Sequence, residues 1–316
     1  MKNTDKYLST GQAYAKETNQ LLAMLFNKIL DSEDIAGSSE REFAENLSRR
    51  FMSETAKWYA KPSAGLDGKN LEEYIQTLDE NELLALTVGI ASKLDFDLPE
   101  VLVNALKEVS EETKEATLEE LLKLSAEAKN QRTETSDEQD EIYLTSQLLV
   151  ILSLWPNEDR VSKVLEWYLA VEVPDDRIGD AVSIFLESAG QEAIPAIENI
   201  VKPALKGDDK NNPKYAYLLQ GLTNIAKHEE AMKDDVYKVL REAFKTLNSK
   251  SMIALMLGDL GSARAIPLLR SYVENNQTTI DEGLYYDIVA SLKKLDANLE
   301  GLPDLKGRFA AERRSQ

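Results

Sequence analysis

Apolar residues recur at three- and four-residue spacing along most of the chain, the period of a helix that buries one stripe. Tyr14, Leu21, Leu22, Leu25, Phe26, Ile29 and Leu30 mark a first stripe, and Phe43, Leu47, Phe51 and Trp58 a second. Residues 61–68 interrupt the pattern with Pro62, Gly65 and Gly68. The helical period resumes over 71–78, 82–94, 100–109 and 118–128. No run alternates apolar and polar residues with β-branched side chains between turn signals. The pattern therefore predicts an all-α chain with almost no sheet.

Residues 130–141 (NQRTETSDEQDE) contain no apolar side chain and carry five acids. They read as an acidic linker. It would divide an N-terminal helical region, 1–129, from a second region, 142–316. The N-terminal region does not repeat clearly. It reads as a helical bundle that caps the second region, or as degenerate repeats.

The second region repeats itself. Ala193-Ile194-Pro195 and Ala265-Ile266-Pro267 each follow a glycine-containing turn and lie 72 positions apart, 193 to 265. A weaker copy falls near the midpoint, where Ile225-Ala226-Lys227-His228-Glu229-Glu230-Ala231 places Ala231 38 positions after Ala193. The stretch 151–161, with Trp155-Pro156-Asn157, has the same shape one step earlier. Each unit reads as a first helix of small and apolar residues, a turn and a second helix. Glycine supplies a backbone conformation at the turn that other residues avoid. Proline sits in the first turn of the second helix, where its missing N–H costs nothing. Ile194, Ile197 and Val201 in one unit, and Ile266, Leu269 and Val273 in another, form the core stripe. One helix pair cannot bury both its apolar faces, so the pairs must stack.

The stretch 254–295 contains Leu257-Gly258-Asp259-Leu260-Gly261, Arg264-Ala265-Ile266-Pro267-Leu268-Leu269 and Ala290-Ser291-Leu292-Lys293-Lys294-Leu295. It resembles the HEAT-like repeats of the phycobilisome-lyase type, and the resemblance extends over roughly 143–295. It implies an α-solenoid of stacked antiparallel helix pairs. The curved inner face, lined by second helices, would bind another macromolecule. It does not imply lyase activity, because no residue here matches a chromophore-attachment site and such repeats mark an architecture rather than one chemistry.

Composition narrows the function further. Lys plus Arg is 37 and Asp plus Glu is 56, a net charge of −19. That balance opposes a surface that neutralises phosphates over a wide area, so nucleic acid is disfavoured as a partner. It also opposes an anionic membrane. No apolar run approaches the ~20 residues that span a bilayer, and no secretory signal pattern opens the chain. A cytoplasmic protein is expected. There is no cysteine and a single histidine, His228, which leaves no basis for a thiol nucleophile or a Cys- or His-rich metal site. His228 falls in a predicted inter-helix turn, with no nucleophile motif beside it. No phosphate-binding glycine loop and no nucleophile elbow is present. Neither a cofactor nor an enzymatic activity is expected.

These observations point to a non-enzymatic scaffold, adaptor or regulator that holds a protein partner with a basic surface. Two alternatives stay open: an acidic antagonist of a basic enzyme, and a nucleic-acid-processing enzyme of base-excision type on a HEAT-like stack. Trp167 and Tyr237 fall off the main apolar stripes by helical spacing and would share the inner face with Arg241 and Arg270. Aromatic and arginine side chains are common binding anchors, so these four are the candidate partner-binding residues.

Overall fold

The computed structural model describes residues 4–30, 40–128, 136–171, 175–207 and 209–315. It is all-helical, about 76% helix, with no strand among the described residues. The chain falls into two compact units, Met1–Trp155 with Ala170–Ala181, and Pro156–Leu169 with Val182–Gln316. Of the expected linker 130–141, residues 130–135 lie outside the described residues. Ser136–Leu152 is helical, so the acids from Asp137 onward lie within a helix.

The first unit comprises α1 (Thr4–Leu30), α2 (Glu40–Tyr59), α3 (Leu71–Ile75), α4 (Glu80–Ala91), α5 (Glu100–Leu106), α6 (Glu111–Ala128) and α7 (Ser136–Leu152). Local chemistry sets several of the starts. Asn70 and Glu73 form a capping box for α3, and Asp79 and Glu82 form another for α4. Each satisfies backbone N–H groups that the first helical turn leaves without partners. The start of α6 is tied to α4 by Glu80. Its Oε2 accepts from the Ser110 amide at 2.9 Å, the Ser110 hydroxyl at 2.5 Å and the Thr113 hydroxyl at 2.7 Å.

The densest contact of this unit is α1 on α4. It is close because Gly11 and Gly89 have no side chain there. A methyl on Gly11 would overlap the Leu86 carbonyl oxygen, and one on Gly89 the Leu8 carbonyl oxygen. Leu22, Leu86 and Ile90 on these two helices are almost wholly buried, as are Leu102 on α5 and Leu121 on α6. By contrast, the apolar stripe of α2 is only half-buried. Phe51 meets Phe26 and Phe96, each with ring centroids 5.7 Å apart.

The second unit contains α8 (Glu158–Ala170), the latter part of α9 (Asp176–Ala189), α10 (Ile194–Ala204), α11 (Lys214–Ala226), α12 (Glu230–Thr246), α13 (Lys250–Asp259), α14 (Ala265–Asn275), α15 (Glu282–Lys294) and α16 (Lys306–Ser315). The turns behave as the sequence requires. Gly190 and Gly261 adopt φ of 58° and 71°, and Pro195 and Pro267 fall in the first turns of α10 and α14. The triplet alanines Ala193 and Ala265 are fully buried, as are Ile197, Val201, Leu269 and Val273. Ile194 and Ile266, at the helix starts, are half-buried.

Contacts run in order through this unit. α10 packs on α11, α11 on α12 and α13, α12 on α13 and α14, α13 on α14, and both α13 and α14 on α15. α11 is buried along nearly its whole length, from Ala216 to Ala226, which its small and apolar composition allows. Gly221 lies against the Leu186 side chain, and Gly258 lies against Ser291.

Candidate functional site

The second helices α12 and α14 carry three of the four expected binding residues. Tyr237 is half-buried on α12, and its hydroxyl donates to the Arg264 carbonyl at 2.9 Å, which ties α12 to the residue before α14. Arg241 is one turn further along α12 and exposed. Arg270 on α14 is turned to main-chain carbonyls. It donates to Asn298 and, at 3.0 Å, to Glu300, and its Nε lies 3.9 Å from Glu274. Tyr237 and Arg241 thus share a face of α12, while Arg270 holds the 298–300 segment.

Trp167 is not on a surface. It is 5% exposed in α8, with its ring 6.5 Å from that of Tyr168. The sequence placed it off the apolar stripe. The structure corrects that placement, because α8 buries Val161, Val164, Leu165, Trp167 and Tyr168 together. At 3.6 residues per turn these span an arc of roughly 160°, and Trp167 lies at its edge.

The same end of α12 and α14 forms a cleft of about 330 Å³, lined by Phe244, Lys245, Lys250, Leu268, Ser271 and Tyr272 among others. The Phe244 and Tyr272 rings meet edge to face, with centroids 5.0 Å apart. Lys250 opens α13 and donates to the carbonyls of Phe244 at 2.9 Å and Leu247 at 2.8 Å. A cation is favoured there, because the carbonyl end of a helix carries partial negative charge. Burial pushes the Lys250 ammonium below the ordinary lysine range. Burial, and then the nearby Asp281 carboxylate, push the Tyr272 phenol above its ordinary value.

Neither Tyr272 nor Lys250 is among the residues that the sequence pattern marks for binding. A signal is nonetheless present. Lys214 and Lys250 open α11 and α13 and lie 36 positions apart, the repeat spacing. Lys214 is also buried, and donates to the Leu169 carbonyl at 2.9 Å. Arg308 does similar work, donating to the carbonyls of Thr278, at 3.2 Å, and Ile280. Lys214, Lys250, Arg270 and Arg308 are thus committed to main-chain carbonyls of their own unit.

His228 lies exposed in the turn between α11 and α12. Among the described residues, no group of three His, Cys, Asp or Glu side chains is placed to hold a metal. No helix among them is long and apolar enough to cross a membrane. No family model matches the chain, and neither a curated protein nor a solved structure matches it.

Proposed function

We propose that the chain is a non-enzymatic adaptor whose second unit is an α-solenoid of HEAT-like helix pairs, with a protein partner held on the surface of the second helices. The carrying observation is the order of contacts. First helices α11, α13 and α15 touch in sequence, and second helices α12 and α14 touch beside them. That is the packing expected when each pair covers the face its neighbour leaves open. The reading stands on the residues and their packing rather than on any relative. A cytoplasmic setting belongs to the same proposal.

The net charge of −19 favours a partner with a basic patch. Lys214, Lys250, Arg270 and Arg308 donate to main-chain carbonyls, which leaves them poorly placed to track a phosphate backbone. Affinity capture at low and physiological salt, with the bound protein identified and then titrated as a purified component, tests the proposal. One stoichiometric partner, bound more weakly as salt rises and weakened by Arg241→Ala, is the expected result. No saturable partner at either salt would sink it, and tight binding of duplex DNA at physiological salt would replace it with the nucleic-acid reading.

A further inference from the structure

The cleft at the ends of α12 and α14 has a chemistry that the adaptor reading does not use. In a chain of 56 acidic residues, no Asp or Glu lines it among the described residues. Its polar lining residues include two lysines, Lys245 and Lys250, together with Ser271 and Tyr272. Phe244 and Leu268 supply apolar wall.

The hydrogen bonds within the cleft leave donors to spare. An ammonium has three N–H donors, and Lys250 spends two, on Phe244 and Leu247. The Ser271 hydroxyl accepts from Asn275 at 3.1 Å, which leaves its own proton to donate. Burial and the Asp281 charge keep the Tyr272 phenol protonated, hence a donor. The Asp281 carboxylate is itself committed to the Leu284 amide at 2.8 Å, the cap of α15.

The geometry selects the ligand's charge. The two carbonyls on Lys250 belong to the negative end of α12 and offset part of its charge. Phosphate dianions are instead favoured by arginine forks, and no arginine lines this cleft. A volume of about 330 Å³ sits at the small end of ligand sites, roughly 300–1,000 Å³. We propose that this cleft binds a single carboxylate carried on an apolar body, with Lys250, Ser271 and Tyr272 as donors and Phe244 and Leu268 against the body. The source is a small carboxylic acid or the carboxyl terminus of a peptide. The proposal stands on the cleft itself and does not need the adaptor reading.

The test is a titration of the full chain followed by amide NMR shifts at Lys250, Ser271 and Tyr272. The probes are benzoate, uncharged benzamide, inorganic phosphate, and acetyl-Gly-Gly-Phe as free acid and as amide. Benzoate and the free-acid peptide should saturate these shifts, and benzamide and the peptide amide should not. The tighter of the two acids identifies the source. Lys250→Met should abolish binding, but it also removes two bonds at the end of α12. Tyr272→Phe and Ser271→Ala leave those bonds intact and should each weaken benzoate by about fivefold, one hydrogen bond's worth. Raising salt to physiological strength should not weaken benzoate, because it screens the long-range repulsion of a −19 chain. Capture of a basic partner weakens under the same change, so the two proposals fail separately. Equal binding of benzamide, tighter binding of phosphate, shifts centred elsewhere, or no saturable response to either acid would each overturn the site.

Discussion

Gly258 on α13 lies directly against Ser291 on α15: a methyl built on Gly258 would come within 2.9 Å of the Ser291 Cα and Cβ. Because one of those atoms is backbone, a side-chain rotation cannot make room. The two helices pass this closely because one of them has no Cβ at the contact. This is the densest helix contact of the second unit.

Gly258→Ala should therefore destabilise the second unit by about 1–3 kcal/mol, the usual cost of overpacking a close-packed contact. Urea denaturation followed by circular dichroism measures it. Adding Ser291→Gly should return part of the loss, because the two positions are in contact and their effects will not add. Gly207→Ala is the control. Its added methyl would meet only two carbonyl oxygens, at 3.6 and 3.7 Å, and its stability should match the parent to within ~0.5 kcal/mol. Equal losses at Gly258 and Gly207 would remove close packing as the explanation.

Gly190 and Gly261 test a different cause. Both hold positive φ, and an added methyl at either would meet nothing within 4 Å. Alanine there incurs only the left-handed backbone penalty, about 1–2 kcal/mol. Asparagine tolerates that region better, so Gly261→Asn should cost less than Gly261→Ala in the same denaturation experiment. The reverse order would show that space, not backbone conformation, selects glycine at the turn.

These turns are legible in the sequence because glycine and proline act locally. Gly190 and Gly261 mark the same step of the repeat, and Pro195 and Pro267 follow each at nearly the same distance. The burial of Ile197, Val201, Leu269 and Val273 is legible because periodicity reports a buried face. The closeness of Gly11 to Leu86, and of Gly258 to Ser291, is not. A glycine inside a helical pattern shows no partner until the fold brings another helix to it. Trp167 is misplaced for a related reason, since a single stripe does not reveal how wide an arc of α8 is covered. The cleft at Lys250 escapes the sequence because Phe244, Lys250 and Tyr272 come from three different helices, and no one segment carries the pattern.

Glu80 gives a pH prediction. Hydrogen bonds from Ser110 and Thr113, before the weaker influence of Lys114, hold its carboxyl below the ordinary glutamate range. The folded chain thus keeps Glu80 charged at a pH where the unfolded chain already binds the proton. Its contribution is complete above the ordinary glutamate pKa and is lost as pH falls through the lowered value. In denaturation curves collected from neutral to acid pH, Glu80→Gln should be less stable than the parent near neutrality. The gap should close as the pH drops below the ordinary glutamate range. A gap independent of pH would mean that the three hydrogen bonds do not depend on the charge.

Arg241 and Arg270 separate folding from binding. Arg270 donates to two carbonyls of the 298–300 segment, and Gly301 just beyond holds φ of 78°. Arg270→Ala should therefore lower stability by about 1–3 kcal/mol, as expected when charge-assisted hydrogen bonds are removed. That corresponds to a fall of several degrees in Tm for a unit of this size. Arg241 is exposed on α12, so Arg241→Ala should leave stability within ~0.5 kcal/mol of the parent. Thermal unfolding of the two variants side by side decides the matter. If Arg270→Ala unfolds at the parent's temperature, its contacts to Asn298 and Glu300 are not structural, and Arg270 returns to the candidate binding surface. If only Arg270→Ala is destabilised, a loss of partner binding in that variant reports the fold, and Arg241→Ala becomes the variant that reports the surface.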